Sequence, residues 1–160
     1  MRYEETTIEG RNAVLEAIRS GKPIDKLFVL KDSQDGPIRT IVSKAKKADT
    51  VISFVTKEQL DKMSQTGKHQ GVIAYTAAYE YAEVDDILQA AKEKGEDPFI
   101  ILLDGIEDPH NLGAIIRTAH QAGAHGIIIP KRRAVGLTAT VAKTSAGAIN
   151  YIPVARVTNL

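Results

Sequence analysis

The sequence predicts an α/β protein built as two small layered units. Three observations carry this. Apolar runs of strand length alternate with apolar positions at helical spacing. Pro98-Phe99-Ile100-Ile101-Leu102-Leu103 is apolar throughout, the pattern of a buried parallel strand. A polar, acidic, tyrosine-rich stretch from Tyr75 to Asp86 interrupts the alternation and marks a domain boundary near residues 77–83.

The elements follow in order. Ala13, Val14, Ala17 and Ile18 share a helix face that Gly21 can end. Leu27 to Leu30 reads as a buried strand, and Asp35-Gly36-Pro37 as a turn. Ile38, Ile41, Val42 and Ala45 make a second amphipathic helix, with Lys44, Lys46 and Lys47 near its end, where cations suit the helix dipole. Val51 to Val55 is a strand. Thr56 and Gln59 have the spacing of a capping box. Gly71 precedes a strand from Val72 to Tyr75. In the second half, Val84, Ile87, Leu88 and Ala91 form a helix, and the apolar run 98–103 a strand. Leu112, Ile115, Ile116 and Ala119 form a helix closed by Gly123. Gly126 to Pro130, a short helix from Ala139 to Ala146, and a strand from Tyr151 to Val154 complete the chain. Asn159-Leu160 reads as the start of a further helix, so the domain is expected to continue.

Composition narrows the function classes. Apolar residues at 43% and charged residues at 26% allow a packed core. The absence of cysteine excludes a disulfide scaffold, thiol catalysis and a cysteine zinc site, and suggests a reducing, cytoplasmic setting. No run of about 18 apolar residues suggests a membrane span. The opening Met1-Arg2-Tyr3-Glu4-Glu5 lacks the apolar stretch of a secretory signal. Residues 1–77 carry 13 basic and 10 acidic side chains, residues 78–97 carry 2 and 7, and residues 98–160 carry 6 and 3. Two mildly basic blocks flank an acidic one, which permits a polyanionic partner. Aromatic content of 5% argues against a platform that stacks many bases.

The chemistry concentrates between Leu103 and Ala119, where a strand end passes through a loop into a helix start. Open α/β folds bind ligands there, and free N–H groups favour an anion. Asn111 is expected as the N-cap. Gly113 is expected to leave the helix surface bare, so that Arg117, one turn on, can lean across it toward Asn111. The plainer alternatives are a simple cap for Asn111 and, for Arg117, a solvated arginine or an ion pair with Asp104, Glu107 or Asp108. Those three carboxylates read as loop and cap residues rather than metal ligands, and no metal site is expected. His120 and His125 are given no role. Lys131-Arg132-Arg133 after a strand, Arg11-Asn12 at the first helix start, and Lys68-His69-Gln70 before a strand are candidate RNA contacts. Asn12 and Gln70 offer amides suited to an unpaired base edge.

The stretch from Asp104 to Ala119 resembles the first motif of the SpoU–TrmH family of RNA ribose 2′-O-methyltransferases. Ile8-Glu9-Gly10-Arg11-Asn12-Ala13-Val14 and His69-Gln70-Gly71-Val72 resemble the substrate-binding domain of its RlmB-type members. Ser145-Ala146-Gly147-Ala148 and Val157-Thr158-Asn159-Leu160 fit the same subgroup. The resemblance implies a substrate-binding domain at 1–76, similar to ribosomal proteins that bind kinked RNA, a linker at 77–83, and at 84–160 the first part of a trefoil-knotted SPOUT-type methyltransferase domain. It implies S-adenosylmethionine as cofactor, a guanosine ribose of large-subunit ribosomal RNA as substrate, and a homodimer. The second and third family motifs are absent from the chain, so the cofactor residues are expected mainly beyond Leu160, and the chain alone is expected to be inactive. Asn111 and Arg117 are the implied catalytic residues. A guanidinium is a poor base, so stabilising an alkoxide and holding a phosphate suit Arg117 better than proton abstraction. Two alternatives stand beside this reading: a non-catalytic RNA-binding protein, and an unrelated nucleotide-binding α/β domain.

Overall fold

The computed structural model describes residues 7–33 and 35–160. The chain divides into two compact units, one ending at Ala77 and the other running from Ala78 to Leu160. Among the described residues no helix is long and apolar enough to cross a membrane.

The first unit holds β1 (Thr7–Glu9), α1 (Arg11–Arg19), β2 (Ile24–Leu30), α2 (Gly36–Lys47), β3 (Val51–Val55), α3 (Lys57–Met63) and β4 (Val72–Thr76). Its four strands are ordered β1-β4-β2-β3. β2 and β3 are parallel, joined through α2, while β4 runs antiparallel to β1 and β2. Parallel neighbours need such a crossover. Val14, Leu27, Val29, Ile38, Ile41, Ala45, Val72 and Ala74 form the core. The helix starts are written locally. Asp35 accepts the Ile38 N–H at 3.0 Å, with Pro37 in the first turn of α2. Thr56 and Gln59 form the expected reciprocal box. β1 was not expected; its three residues are too few to show an alternation, and its partner β4 lies far along the chain.

The second unit holds α4 (Val84–Lys94), β5 (Ile100–Leu102), α5 (Pro109–Gln121), β6 (Gly126–Pro130), α6 (Ala139–Thr144), a 3-10 turn (Ala148–Asn150) and β7 (Val154–Val157). The three strands are parallel, in the order β5-β6-β7. Leu112, Ile116, Ile127, Ile129, Leu137 and Val141 lead the core on one sheet face, and Ile87, Ile128 and Ala155 pack on the other. Ala78 and Ala82 donate backbone bonds to the Leu137 and Val154 carbonyls, so this segment is tied into the second unit.

Three expectations for this unit are corrected. The apolar run 98–103 is not a fully buried strand: β5 is a three-residue edge strand, and Phe99 and Leu102 are 46% and 58% exposed. The last strand begins at Val154, not Tyr151. Tyr151 and Ile152 donate to the Ala148 carbonyl and close a turn instead. Asn111 is not the cap of α5. Asp108 is, accepting the His110 N–H at 2.7 Å. Pro109, which lacks an N–H and has a helical φ built in, occupies the first helical position.

Candidate functional site

In the first unit the two stretches singled out from the sequence meet. β1 ends at Glu9, Gly10 turns with φ +90°, and α1 begins at Arg11. The loop leading to β4 lies against this junction. The Gln70 side-chain oxygen accepts the Arg11 N–H at 3.0 Å, capping α1 from across the sheet. Arg11 Nε donates to the Gln70 carbonyl at 3.1 Å, and its Nη2 pairs with Asp35 at 2.6 Å. A Cβ on Gly10 would come within 3.3 Å of the Gln70 oxygen, so glycine suits both the dihedral and the space.

Glu9 clamps the same loop. Its carboxylate accepts from Ser64 Oγ at 2.5 Å, the Gln65 N–H at 2.5 Å and Thr66 Oγ1 at 2.7 Å. Burial acts against the charge, but the bonds from Ser64, Thr66 and the Gln65 and Thr66 backbone outweigh it. They hold the carboxyl at about 2, below the ordinary 4.5. His69, expected as an RNA contact, is only 7% exposed. Its Nε2 meets Asp61 at 2.8 Å and its Nδ1 accepts the Gly71 N–H at 3.0 Å. Both ring nitrogens are engaged, so His69 positions the loop and offers no free edge. Arg11 and Gln70 are likewise partly committed to each other. Asn12 and Lys68 are exposed, and the Asn12 side chain makes no hydrogen bond among the described residues. Sequence reasoning missed Glu9, Asp35 and Asp61 as supports; nothing local marks their long-range partners.

In the second unit the segments after β5 and β6 leave the same edge of the parallel sheet, because the two strands are paired in parallel. That edge carries Asp104 to Asp108, the first turn of α5 with Asn111, and Lys131 to Arg133. Lys131 donates its N–H to the Val157 carbonyl at 2.8 Å, and Arg156 donates to the Lys131 carbonyl at 3.2 Å. Arg132 and Arg133 are exposed and make no ion pair among the described residues; Arg133 has φ +55°. Asn111 and Arg117 are also exposed, and neither side chain has a hydrogen bond or ion pair among the described residues. The ion pair of Arg117 with Asp104, Glu107 or Asp108 is therefore not formed.

The expected route of Arg117 across a bare glycine is corrected. Gly113 is buried against α6: a Cβ there would lie 1.9 Å from Thr144 Oγ1 and 3.0 Å from the Ser145 nitrogen. The glycine admits a neighbouring helix. Asn111 and Arg117, six residues apart on one helix, point about 120° apart, so their side chains do not converge along the helix surface. Arg117 starts about 12 Å from the beginning of α5 and leans back toward it, as helical side chains do. His120 stacks on Tyr151 with ring centroids 5.5 Å apart. His125 is buried, with Nε2 2.9 Å from Glu96 and Nδ1 accepting from the Phe99 N–H. Among the described residues no group of three or more histidine or carboxylate side chains could hold a metal ion.

Comparisons with known proteins bear on these two units separately. Residues 7–82 match a family model described as RNA 2′-O ribose methyltransferase substrate binding, and residues 98–160 match the SpoU rRNA methylase family. A Bacillus subtilis strain 168 protein, YacO, named for the TrmH family of tRNA/rRNA methyltransferases, is 54% identical over 160 residues, covering 100% of this chain and 64% of its own length. A Staphylococcus aureus strain MSSA476 protein named for the same family is 49% identical over 157 residues, covering 98% of this chain and 63% of its own. The chain thus spans less than two thirds of these relatives. Among solved structures, an AdoMet-bound rRNA methyltransferase from Sinorhizobium meliloti aligns with a TM-score of 0.43 and 25% identity, over 96% of this chain and 54% of that one.

Proposed function

This chain belongs to the SpoU–TrmH family of RNA methyltransferases, and we propose on that premise that it carries the RNA-binding unit and the substrate-activating half of a 2′-O-ribose methyltransferase. The substrate in this reading is a guanosine ribose of large-subunit ribosomal RNA. The working form is a cytoplasmic homodimer whose catalytic domain is knotted. The observation that carries the catalytic part is Arg117. It is a solvent-facing guanidinium with no hydrogen bond or ion pair among the described residues, on the helix that follows a parallel strand end, in the segment matched to the methylase model.

The cofactor in this reading is S-adenosylmethionine, which supplies an electrophilic methyl group. The residues of the hollow beside α5 do not fit it. That hollow, about 270 Å3, is lined by Ile101, Ala114, Ile115, Thr118, Ala119 and Ala122. A single hydroxyl cannot hold an amino-acid head and an adenine edge. The relatives contain residues outside the matched segment, and we assign the cofactor's contacts to that part of such a chain. The residues here act on the RNA. A ribose 2′-hydroxyl is a weak nucleophile at neutral pH. A cation beside it stabilises the oxygen as its proton leaves to solvent, and Arg117 supplies that cation while holding the adjacent phosphate. The Asn111 amide contacts the RNA from the first turn of α5, on a different side of the helix from Arg117. Asn12, Lys68, Arg11 and Gln70 bind RNA on the first unit, with His69 and Glu9 shaping their loop, and Lys131, Arg132 and Arg133 take phosphates at the sheet edge.

The test uses a full-length family protein containing this sequence. Arg117→Ala should cut methyl transfer at least a hundredfold, the usual scale for one electrostatic group at a reacting oxygen. Its S-adenosylmethionine affinity by calorimetry should stay within about twofold. Wild-type turnover in that variant would remove the role from Arg117.

A further inference from the structure

A second feature of the first unit has no part in the site above. On α2, Arg39, Val42, Ser43 and Lys46 stand at helical spacings that place them along one stripe. With Ile38 and Phe54 they line a hollow of about 400 Å3. Phe54 lies on β3, the outermost strand of its sheet. Its register partner on β2 is Val29, which is fully buried, yet Phe54 is 57% exposed. The ring thus continues a core row past the sheet edge and leaves a wide apolar surface in water.

The hollow has an apolar floor and a rim of two cations and hydroxyls. No carboxylate lines it among the described residues. The last turn of α2 adds Lys44 and Lys47 to the same end of the helix. Such a site favours a ligand that is flat, aromatic and anionic. A nucleotide meets all three requirements, because every base presents a π-face and carries its phosphate beside it. An acidic protein segment would satisfy the cations but has no general need for a bare ring facing solvent.

We propose that this hollow binds one unpaired RNA nucleotide, with its base stacked on Phe54 and its phosphate held by Lys46. The proposal rests on the reading of the first unit as an RNA-binding unit, and assigns it a second point of attachment on different elements from Asn12 and Gln70. An aromatic content of 5% excludes a long stacking platform; a single exposed ring serves a single base.

The experiment uses the full chain and stem–loop RNAs carrying 2-aminopurine, whose fluorescence falls on stacking, at successive unpaired positions. Wild type should quench the probe at one position. Phe54→Leu should abolish that quenching and weaken binding about tenfold, the usual loss for one stacked base. Phe54→Tyr should restore both. Lys46→Gln should weaken binding and lower the slope of log affinity against log salt by about 1. Asn12→Ala should weaken binding while the quenching at saturation persists. Thermal melts of each variant separate these effects from unfolding, and Phe54 is exposed enough for its replacement to be mild. Wild-type quenching and affinity in Phe54→Leu would overturn the proposal and leave the RNA reading standing. Failure of wild type to bind any of the RNAs at low salt would overturn both. A change in sedimentation on Phe54→Leu with RNA binding intact would show a protein interface and overturn the nucleotide assignment.

Discussion

The junction of β1 and α1 and the sheet edge before α5 treat their polar side chains in opposite ways. At the first, Arg11 and Gln70 bond each other, while Glu9 and His69 bond side chains and backbone of the neighbouring loop and helix. At the second, Asn111, Arg117, Arg132 and Arg133 spend none on the described protein. A network of satisfied groups fixes the shape of a surface, and shape is how folded RNA is recognised. Unengaged donors next to a helix start instead keep their capacity for a substrate whose charge changes during reaction. In the function proposed above, the difference separates a surface that recognises RNA by fit from one that acts on it.

This contrast can be broken at its supports. The largest effect should come from Gly113→Ala. The new methyl would need the space of Thr144 Oγ1, 1.9 Å away. Pushing α6 off α5 should lower the stability of the second unit by about 2–3 kcal/mol. Hydrogen exchange of amides in α5 and β6 should report it, with β2 and β4 unchanged.

Glu9 comes next. Its folded carboxyl titrates at about 2 against an ordinary 4.5. The folded state therefore binds fewer protons between those values. The stabilisation is complete above pH 4.5 and is lost as pH falls through 2. Urea unfolding of the wild type between pH 5.5 and 2.5, followed by β4 signals, should show this decline. Glu9→Gln should flatten that part of the curve and cost about 1–2 kcal/mol at neutral pH. Gln70→Ala should cost about 1 kcal/mol, since it leaves the Arg11 N–H without its acceptor. The smallest change in stability belongs to Arg117→Ala, within about 0.5 kcal/mol, because the side chain makes no hydrogen bond or ion pair among the described residues. A drop of 2 kcal/mol there would mean that Arg117 is a structural residue and would erase the contrast.

Much of the fold was legible because its causes are local. The Thr56–Gln59 box, the strand Val51–Val55 and the strand Gly126–Pro130 need only neighbours a few residues away. β1 was not legible, because Thr7 pairs with Tyr75 and three residues carry no pattern of their own. The cap of α5 was legible in principle: Asp108-Pro109 is a cap followed by a first-turn proline, although Asn111, three residues on, is an equally good cap residue type. The role of Gly113 was not, since Thr144 lies on another helix. The same division runs through the sites. The stretches holding Asn12, Gln70, Asn111 and Arg117 stand out in one dimension, whereas the bonds that turn His69 inward and hold Gln70 on Arg11 exist only in three.

The Glu9 clamp also has a consequence in time. It joins residues 55 to 57 positions apart, among the longest closures within the first unit. Contacts so distant must await the closure of the intervening chain, which slows their formation. In a chain made from its N-terminus, Glu9 to Asn12 emerge early and remain solvated until residues 64–70 arrive. The junction thus cannot be completed until the chain has been made at least as far as Gln70.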